Sequence, residues 1–173
     1  ASGTGIAFSD GGSWNNWQLY GNVFYDMTSG YGTSLGVQDA AIVGLKLYNN
    51  TFVNNYNNLN LSAASCGSGC ETRNNLFYGS GGSIACGTSS NNLTASSNPF
   101  VNLAGKDFRI GSTTGSGYPR NAGTNLSGNF TTDMNGVPFG GDGTWDIGAY
   151  EYTSGTIPVG IRVPTAPKSL QIN

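Results

Sequence analysis

Leu45-Lys-Leu-Tyr-Asn-Asn-Thr-Phe-Val-Asn-Asn55 is the stretch from which the fold can be read, because its plan recurs on both sides of it. With Asn50-Thr51-Phe52 as anchor, Asn-x-Phe returns as Asn22-Val23-Phe24, Asn75-Leu76-Phe77 and Asn98-Pro99-Phe100, at intervals of 28, 25 and 23 residues. Self-similarity at this period indicates a stacked repeat. The flanks strengthen the reading. Five and three residues before each anchor stand Trp17 and Leu19, Leu45 and Leu47, Cys70 and Thr72, Leu93 and Ala95. Such i, i+2 pairs, mostly apolar, mark a strand with one buried face. A second column runs Ile6 and Phe8, Leu35 and Val37, Leu59 and Leu61, Ile84 and Cys86, Phe108 and Ile110.

One turn of a right-handed parallel β-helix per repeat accounts for these columns. Like positions then lie above one another at the ~4.8 Å spacing of paired strands, and loops are free to vary in length. The apolar pairs fill the interior, and Phe24, Phe52, Phe77 and Phe100 form an aromatic ladder within it. The anchor asparagines occupy sharp bends, where a left-handed backbone is tolerated and stacked amides can bond along the axis. An antiparallel sandwich or barrel also uses short strands and glycine-rich turns, but does not require matched columns at a fixed period. The fold class is therefore all-β. Residues 1–112 form the coils, 113–152 a C-terminal cap that shields the last coil, and 153–173 an extended tail or linker. Ala1 opens in mid-register, which implies either a segment removed before it or a neighbour covering that end.

Composition narrows the function. Of 173 residues only 9% are charged, 28 are glycine, and the net charge is −2. No cluster of Lys and Arg offers a nucleic-acid footprint, and no apolar run is long enough to span a bilayer. There is no histidine, and the three cysteines lack a fourth thiol, which argues against a zinc site. The tight Cys66-Gly-Ser-Gly-Cys70 loop favours Cys66–Cys70 as the disulfide, with Cys70–Cys86 as the alternative from their shared coil. The composition favours an extracellular or cell-surface setting.

Outward rows beside the first strand of each coil are Gln18, Lys46, Glu71, Thr94 and Tyr20, Tyr48, Arg73, Ser96. Tyr20, Tyr48 and Arg73, with Lys46 and Glu71 beside them, combine flat rings with polar groups, as a sugar-binding strip does. The commoner roles for such residues are cross-strand packing and an exposed ion pair. A glycosidase needs two carboxylates ~5–10 Å apart across the scissile bond, and the coils stack no such pair. Asp133, Asn135 and Asp142 offer hard oxygen ligands suited to Ca²⁺, although Asx turns use the same residues. No other cofactor is implied.

The run Asn98-Pro-Phe-Val-Asn102, with Asp107-Phe-Arg-Ile110, Asn121-Ala-Gly123, Asp133-Met-Asn-Gly-Val-Pro138 and Asp146-Ile-Gly-Ala-Tyr-Glu-Tyr152, resembles the C-terminal end of bacterial secreted or surface β-helix proteins. These belong to the pectin-lyase-like superfamily, and the likeness is greatest to the choice-of-anchor Q group. The resemblance covers about residues 92–152 and implies a β-helix and export. It departs at Gly117-Tyr-Pro-Arg-Asn-Ala-Gly123, where relatives commonly carry a Ser-Pro-Ala-Ile-Asp-like run.

The expectation is a non-catalytic structural or adhesive module acting within a larger assembly or filament, through self-association or a neighbouring surface protein. In one form, the tail Ile157 to Ile172 completes a neighbour's sheet. The rival is a polysaccharide lyase-like enzyme, or a polysaccharide-binding β-helix.

Overall fold

The computed structural model describes residues 4–8, 13–28, 33–37, 41–61, 66–80 and 86–155. Within them the chain is all-β, with fifteen strands and no helix. Thirteen strands lie in four parallel sheets, to which successive repeats contribute strands in chain order. Sheet one joins β1 (Thr4–Phe8), β5 (Thr33–Val37) and β9 (Asn57–Leu61), with Ile6 opposite Leu35 and Leu35 opposite Leu59. Sheet two pairs β2 (Ser13–Asn15) with β6 (Ala41–Val43), and a bridge from Ile42 to Cys66 extends it. Sheet three stacks β3 (Gln18–Tyr20), β7 (Lys46–Tyr48), β10 (Glu71–Arg73) and β12 (Thr88–Ser90). Sheet four stacks β4 (Val23–Tyr25), β8 (Thr51–Val53), β11 (Leu76–Tyr78) and β13 (Leu93–Thr94).

The expected columns hold through three repeats. Phe24, Phe52 and Phe77 face one another in register, with ring centroids 5.1 Å apart at both steps and planes inclined 10° and 13°. Around them Leu35, Ile42, Leu45, Leu47, Cys70 and Cys86 close a buried core. The asparagine ladder is also present. Main-chain and side-chain amides of Asn22 donate to Asn50 Oδ1, those of Asn50 to Asn75 Oδ1, and those of Asn75 to Asn92 Oδ1, at 2.9–3.1 Å.

The fourth rung is thus Asn92 rather than Asn98, and the last step is 17 residues, not 23. Asn98 instead turns its Oδ1 onto the Phe100 amide two residues on, a local bond that mimics the anchor in sequence only. Phe100 accordingly leaves the ladder. Its place above Phe77 is taken by Thr94, and the fourth outward pair is Thr88 and Ser90 rather than Thr94 and Ser96. The left-handed residue is also not the anchor. It is the residue before it: Gly21, Asn49, Asn74 and Asn91 all have φ between 46° and 68°.

Phe108 and Ile110 do not extend the sheet-one column. β15 (Asp107–Ile110) pairs antiparallel with β14 (Phe100–Asn102). Ile84 lies outside the described residues, as does the tail from 156 to 173.

Sheet four is largely apolar on both faces: Val23-Phe24-Tyr25 and Leu76-Phe77-Tyr78 show none of the alternation of a solvated strand, and Thr51-Phe52-Val53 is buried throughout. Its outer side therefore requires cover, which the chain from Phe100 onward supplies. Val53 and Leu76 pack with Phe100, Phe108, Ile147, Ala149 and Tyr150 in a second core. A third core gathers Tyr48 with Leu126, Phe130, Phe139 and Trp145. The C-terminal segment thus lies along the flank of the repeats and reaches Asn49 and Thr51 in the second of them.

The disulfide joins Cys66 to Cys86, with Cα atoms 5.5 Å apart, and Cys70 is a free, buried thiol. This corrects the Cys66–Cys70 pairing. Gly69, at φ 74°, turns the chain between the two cysteines, so that Cys66 stays in sheet two and Cys70 enters the next strand column, its Sγ 3.6 Å from Ile42 O. Reducing Cys66–Cys86 is expected to lower stability by about 3 kcal/mol, read from urea unfolding with and without reductant. Alkylation of the unreduced protein should label one thiol when unfolded and none when folded, because Cys70 is 2% exposed.

Candidate functional site

The outer face of sheet three is where the sequence places its chemistry, and the strands deliver the residues in the expected register. Lys46 stands opposite Glu71, and Tyr48 stands between Tyr20 and Arg73. The side chains then depart from a sugar-binding strip. Glu71 does not turn to Lys46. Its Oε2 accepts the Tyr48 hydroxyl at 2.9 Å and lies 3.0 Å from the Arg73 guanidinium. Tyr48 is only 2% exposed, and Phe130 packs 6.5 Å from its ring. Burial, and then the bond to Glu71, push the Tyr48 hydroxyl well above the usual tyrosine range, so it stays protonated as a donor. Tyr20 is 46% exposed, yet Phe130 lies flat against one of its faces at 4.5 Å and 4°. A strip of three free groups is thereby reduced to one half-exposed ring beside an ion pair.

The asparagine pairs divide their work at the bend between sheets three and four. In Asn49-Asn50, Asn74-Asn75 and Asn91-Asn92 the second residue carries the ladder. The first, left-handed residue binds the flanking segment. Asn49 Nδ2 donates to Asp146 O and Gly148 O at 2.9 and 3.0 Å, and Asn74 exchanges bonds with Thr124 at 2.8 and 2.9 Å. Gly148 closes the contact: its φ is 106°, and a Cβ there would lie 2.9 Å from Thr51 Oγ1. Sequence reasoning read only the inner asparagine. The doubling itself was the available signal for an outer partner.

Three carboxylates are buried where this segment folds on itself. Asp133 accepts the amides of Asn135, Val137 and Glu151; Asp146 those of Asn121 and Tyr152; Glu151 those of Gly140 and Asp146. Amide donors favour the ionised form, but burial opposes it more strongly. Burial pushes the Asp146 carboxyl up to about 6. Burial and the neighbouring Asp146 push Glu151 up to about 8, and burial also raises Asp133.

The residues expected to hold Ca²⁺ make other contacts. Asp133 is engaged as above, Asn135 lends it a backbone amide, and Asp142 lies 3.3 Å from the Arg120 guanidinium. No group of three or more His, Cys, Asp or Glu is arranged for a metal among the described residues. Arg120 also stacks 3.8 Å over the Tyr152 ring, at the edge of a shallow cavity of about 280 Å³ lined by Val137, Pro138, Gly141 and Thr153.

A pH dependence follows from the buried acids. Unfolded carboxyls titrate near ~4, whereas folded Asp146 and Glu151 keep their protons to about 6 and about 8. Between those values the folded state binds more protons, so stability falls as pH rises through the window. Asp26 and Asp107 are held below the usual range by bonds to Lys106 and Arg109, and their contribution is lost in strong acid. Thermal unfolding is therefore expected at a higher temperature at pH 5 than at pH 8, with a flatter profile in Glu151→Gln. A melting temperature that climbs from pH 5 to pH 8 would contradict the assignment.

No helix among the described residues is long and apolar enough to cross a membrane. Comparison with protein-family models, curated proteins and solved structures finds no match for this chain.

Proposed function

We propose that the chain is a right-handed parallel β-helix of the pectin-lyase-like kind, and that it serves as a non-catalytic structural or adhesive module outside the cell, within a larger assembly. The parallel pairings at steps of 17 to 29 residues support the fold reading, since parallel strands paired at such offsets need a crossover within each repeat. The Cys66–Cys86 disulfide and the low charge suit an oxidising, extracellular setting.

One observation carries the functional reading. Every described carboxylate is engaged in holding the structure. Asp26, Glu71, Asp107 and Asp142 pair with Lys106, Arg73, Arg109 and Arg120, while Asp133, Asp146 and Glu151 accept backbone amides. A general acid or base must reach a substrate proton, and these groups are already committed to the fold. Incubation with uronate and neutral polysaccharides should yield neither unsaturated products nor new reducing ends. Turnover that disappears in Arg73→Ala would overturn the reading.

The half-exposed Tyr20 ring keeps a second reading open, that of a sugar-binding surface. Affinity electrophoresis in polysaccharide gels tests it: retardation of the wild type that Tyr20→Ala abolishes would favour binding.

A further inference from the structure

Three sulfurs meet where the third repeat stacks on the fourth. Cys70 and Cys86 are buried in the first core, and Cys66 packs against it. Two of the three are bridged, Cys66 to Cys86, which leaves Cys70 as a thiol. The backbone sets Cys70 beside both partners of that bridge. On the Cys66 side, Ile42 O accepts the Gly67 amide at 2.7 Å and lies 3.6 Å from Cys70 Sγ, while Ile42 itself forms the bridge to Cys66. On the Cys86 side, Thr88 N donates to Cys70 O at 2.9 Å, in the register that pairs Glu71 with Thr88 and so sets Gly87 against Cys70. The approach is close: a Cβ on Gly87, whose φ is 68°, would lie 1.9 Å from Cys70 O and 2.7 Å from Cys70 Cβ.

Gly87 brings its neighbour Cys86 with it. Consecutive Cα atoms lie ~3.8 Å apart and paired strands ~4.8 Å, which combine at right angles to about 6 Å between Cys70 and Cys86. Disulfides span Cα separations of about 4.4–6.8 Å, so Cys70 can bridge Cys86 without a change of register. Loop closure hardly distinguishes the two bridges. Cys66 and Cys86 are 20 residues apart and Cys70 and Cys86 are 16, and closure entropy varies only with the logarithm of that length.

We propose that Cys66 is a modification site for small disulfide-bearing molecules, opened by exchange with Cys70. The Cys70 thiolate attacks Cys86 Sγ; the Cys70–Cys86 bond forms, the Cys66–Cys86 bond breaks, and Cys66 leaves as a thiolate. The chain is neither oxidised nor reduced in this step. Attack on Cys66 instead would expel Cys86 into the apolar core, where a thiolate is costly. Cys66 is the better leaving group, because it is half-buried at a turn whose Gly67, Ser68 and Gly69 are exposed. The released Cys66 thiolate then attacks a disulfide from solution. A mixed disulfide forms on Cys66, and the other half of the reagent departs as a thiol, taking the proton that Cys70 gave up. Such a reagent has no direct route to Cys70 or Cys86, which are 2% and 1% exposed. The site uses no carboxylate and stands independently of the structural reading above.

Oxidised glutathione is the probe. The unreduced protein is held with it at about pH 8, where thiolate is available, and is then mapped by non-reducing peptide mass spectrometry. One glutathione per chain is expected on Cys66, with Cys70 bridged to Cys86. Adduct on Cys66 should exceed that on Cys70 by about tenfold or more, following their exposure. A brief alkylation pulse of the resting protein still finds no thiol, since the bridge then joins Cys66 to Cys86. Cys66→Ser supplies a second measurement: refolded in glutathione redox buffer, it should close Cys70–Cys86 and show no free thiol in urea. Glutathione found on Cys70, a chain left unmodified after prolonged exposure, or a folded Cys66→Ser protein with two free thiols would each overturn the exchange. Should Cys66→Ser fail to fold, the peptide map of the wild type decides alone.

Discussion

Phe52→Ala is expected to destabilise the protein by about 3–5 kcal/mol, measured as the change in unfolding free energy in urea. Phe52 is fully buried and is stacked on both faces, against Phe24 and Phe77 at 5.1 Å each. Truncation removes two ring–ring contacts as well as one side chain. The neighbouring rings are fixed by strands in register above and below, which limits their collapse into the space. Phe52→Leu keeps most of the volume and should lose about 1–1.5 kcal/mol. A loss below ~1 kcal/mol for the alanine variant would mean that the column relaxes freely, contrary to the close packing described.

Asn75→Ala should match that loss by a different route. The amide is fully buried; its Oδ1 accepts two bonds from Asn50, and its Nδ2 donates to Leu47 O and Asn92 Oδ1 at 2.8 and 2.9 Å. Alanine leaves the Asn50 amides without their acceptor and takes a donor from Leu47 and Asn92, at about 1–3 kcal/mol for each buried group left unsatisfied. The combined loss is expected near ~3–5 kcal/mol. Asn75→Asp separates hydrogen bonding from shape. It retains the acceptor for Asn50, but at neutral pH it sets a carboxylate against two oxygens. Acidification restores a donor, so this variant should recover part of its stability below about pH 4 while the alanine variant does not. Equal losses at both pH values would show that the amide acts only as a spacer.

The parallel register was legible because its signals are short-range and periodic. Leu45 and Leu47 alternate, and the same alternation returns two dozen residues later, which suffices to pair β3, β7 and β10. The fourth rung was misread because Asn98-Pro-Phe copies the anchor in residue type. Asn91-Asn92-Leu-Thr, which lacks the phenylalanine, carries the doubled asparagine that the bend requires. Which cysteines pair was not legible, since Gly69 decides which sheet each strand enters, and a single left-handed glycine looks the same in sequence as any other. The covering of Tyr48 was also hidden. Phe130 lies 82 residues further along the chain, and no period links the two. The triplets Val23-Phe-Tyr25 and Leu76-Phe-Tyr78 were the overlooked hint, because a strand apolar at every position needs a partner on each face.

Arrays of stacked repeats ordinarily melt piecemeal, since each unit touches only its neighbours and the ends can fray without disturbing the middle. Asn49 and Thr51 are bonded to residues 97 to 99 positions away, and Asn74 to Thr124. A late part of the chain is thereby tied to units two and three at once. Losing any one of these units strips the fastening from the others, which turns a zipper into an all-or-none switch. Heat and urea should accordingly produce one sharp transition with no half-unravelled species. During synthesis, the early turns should gain their full strength only after Ala149 has left the ribosome.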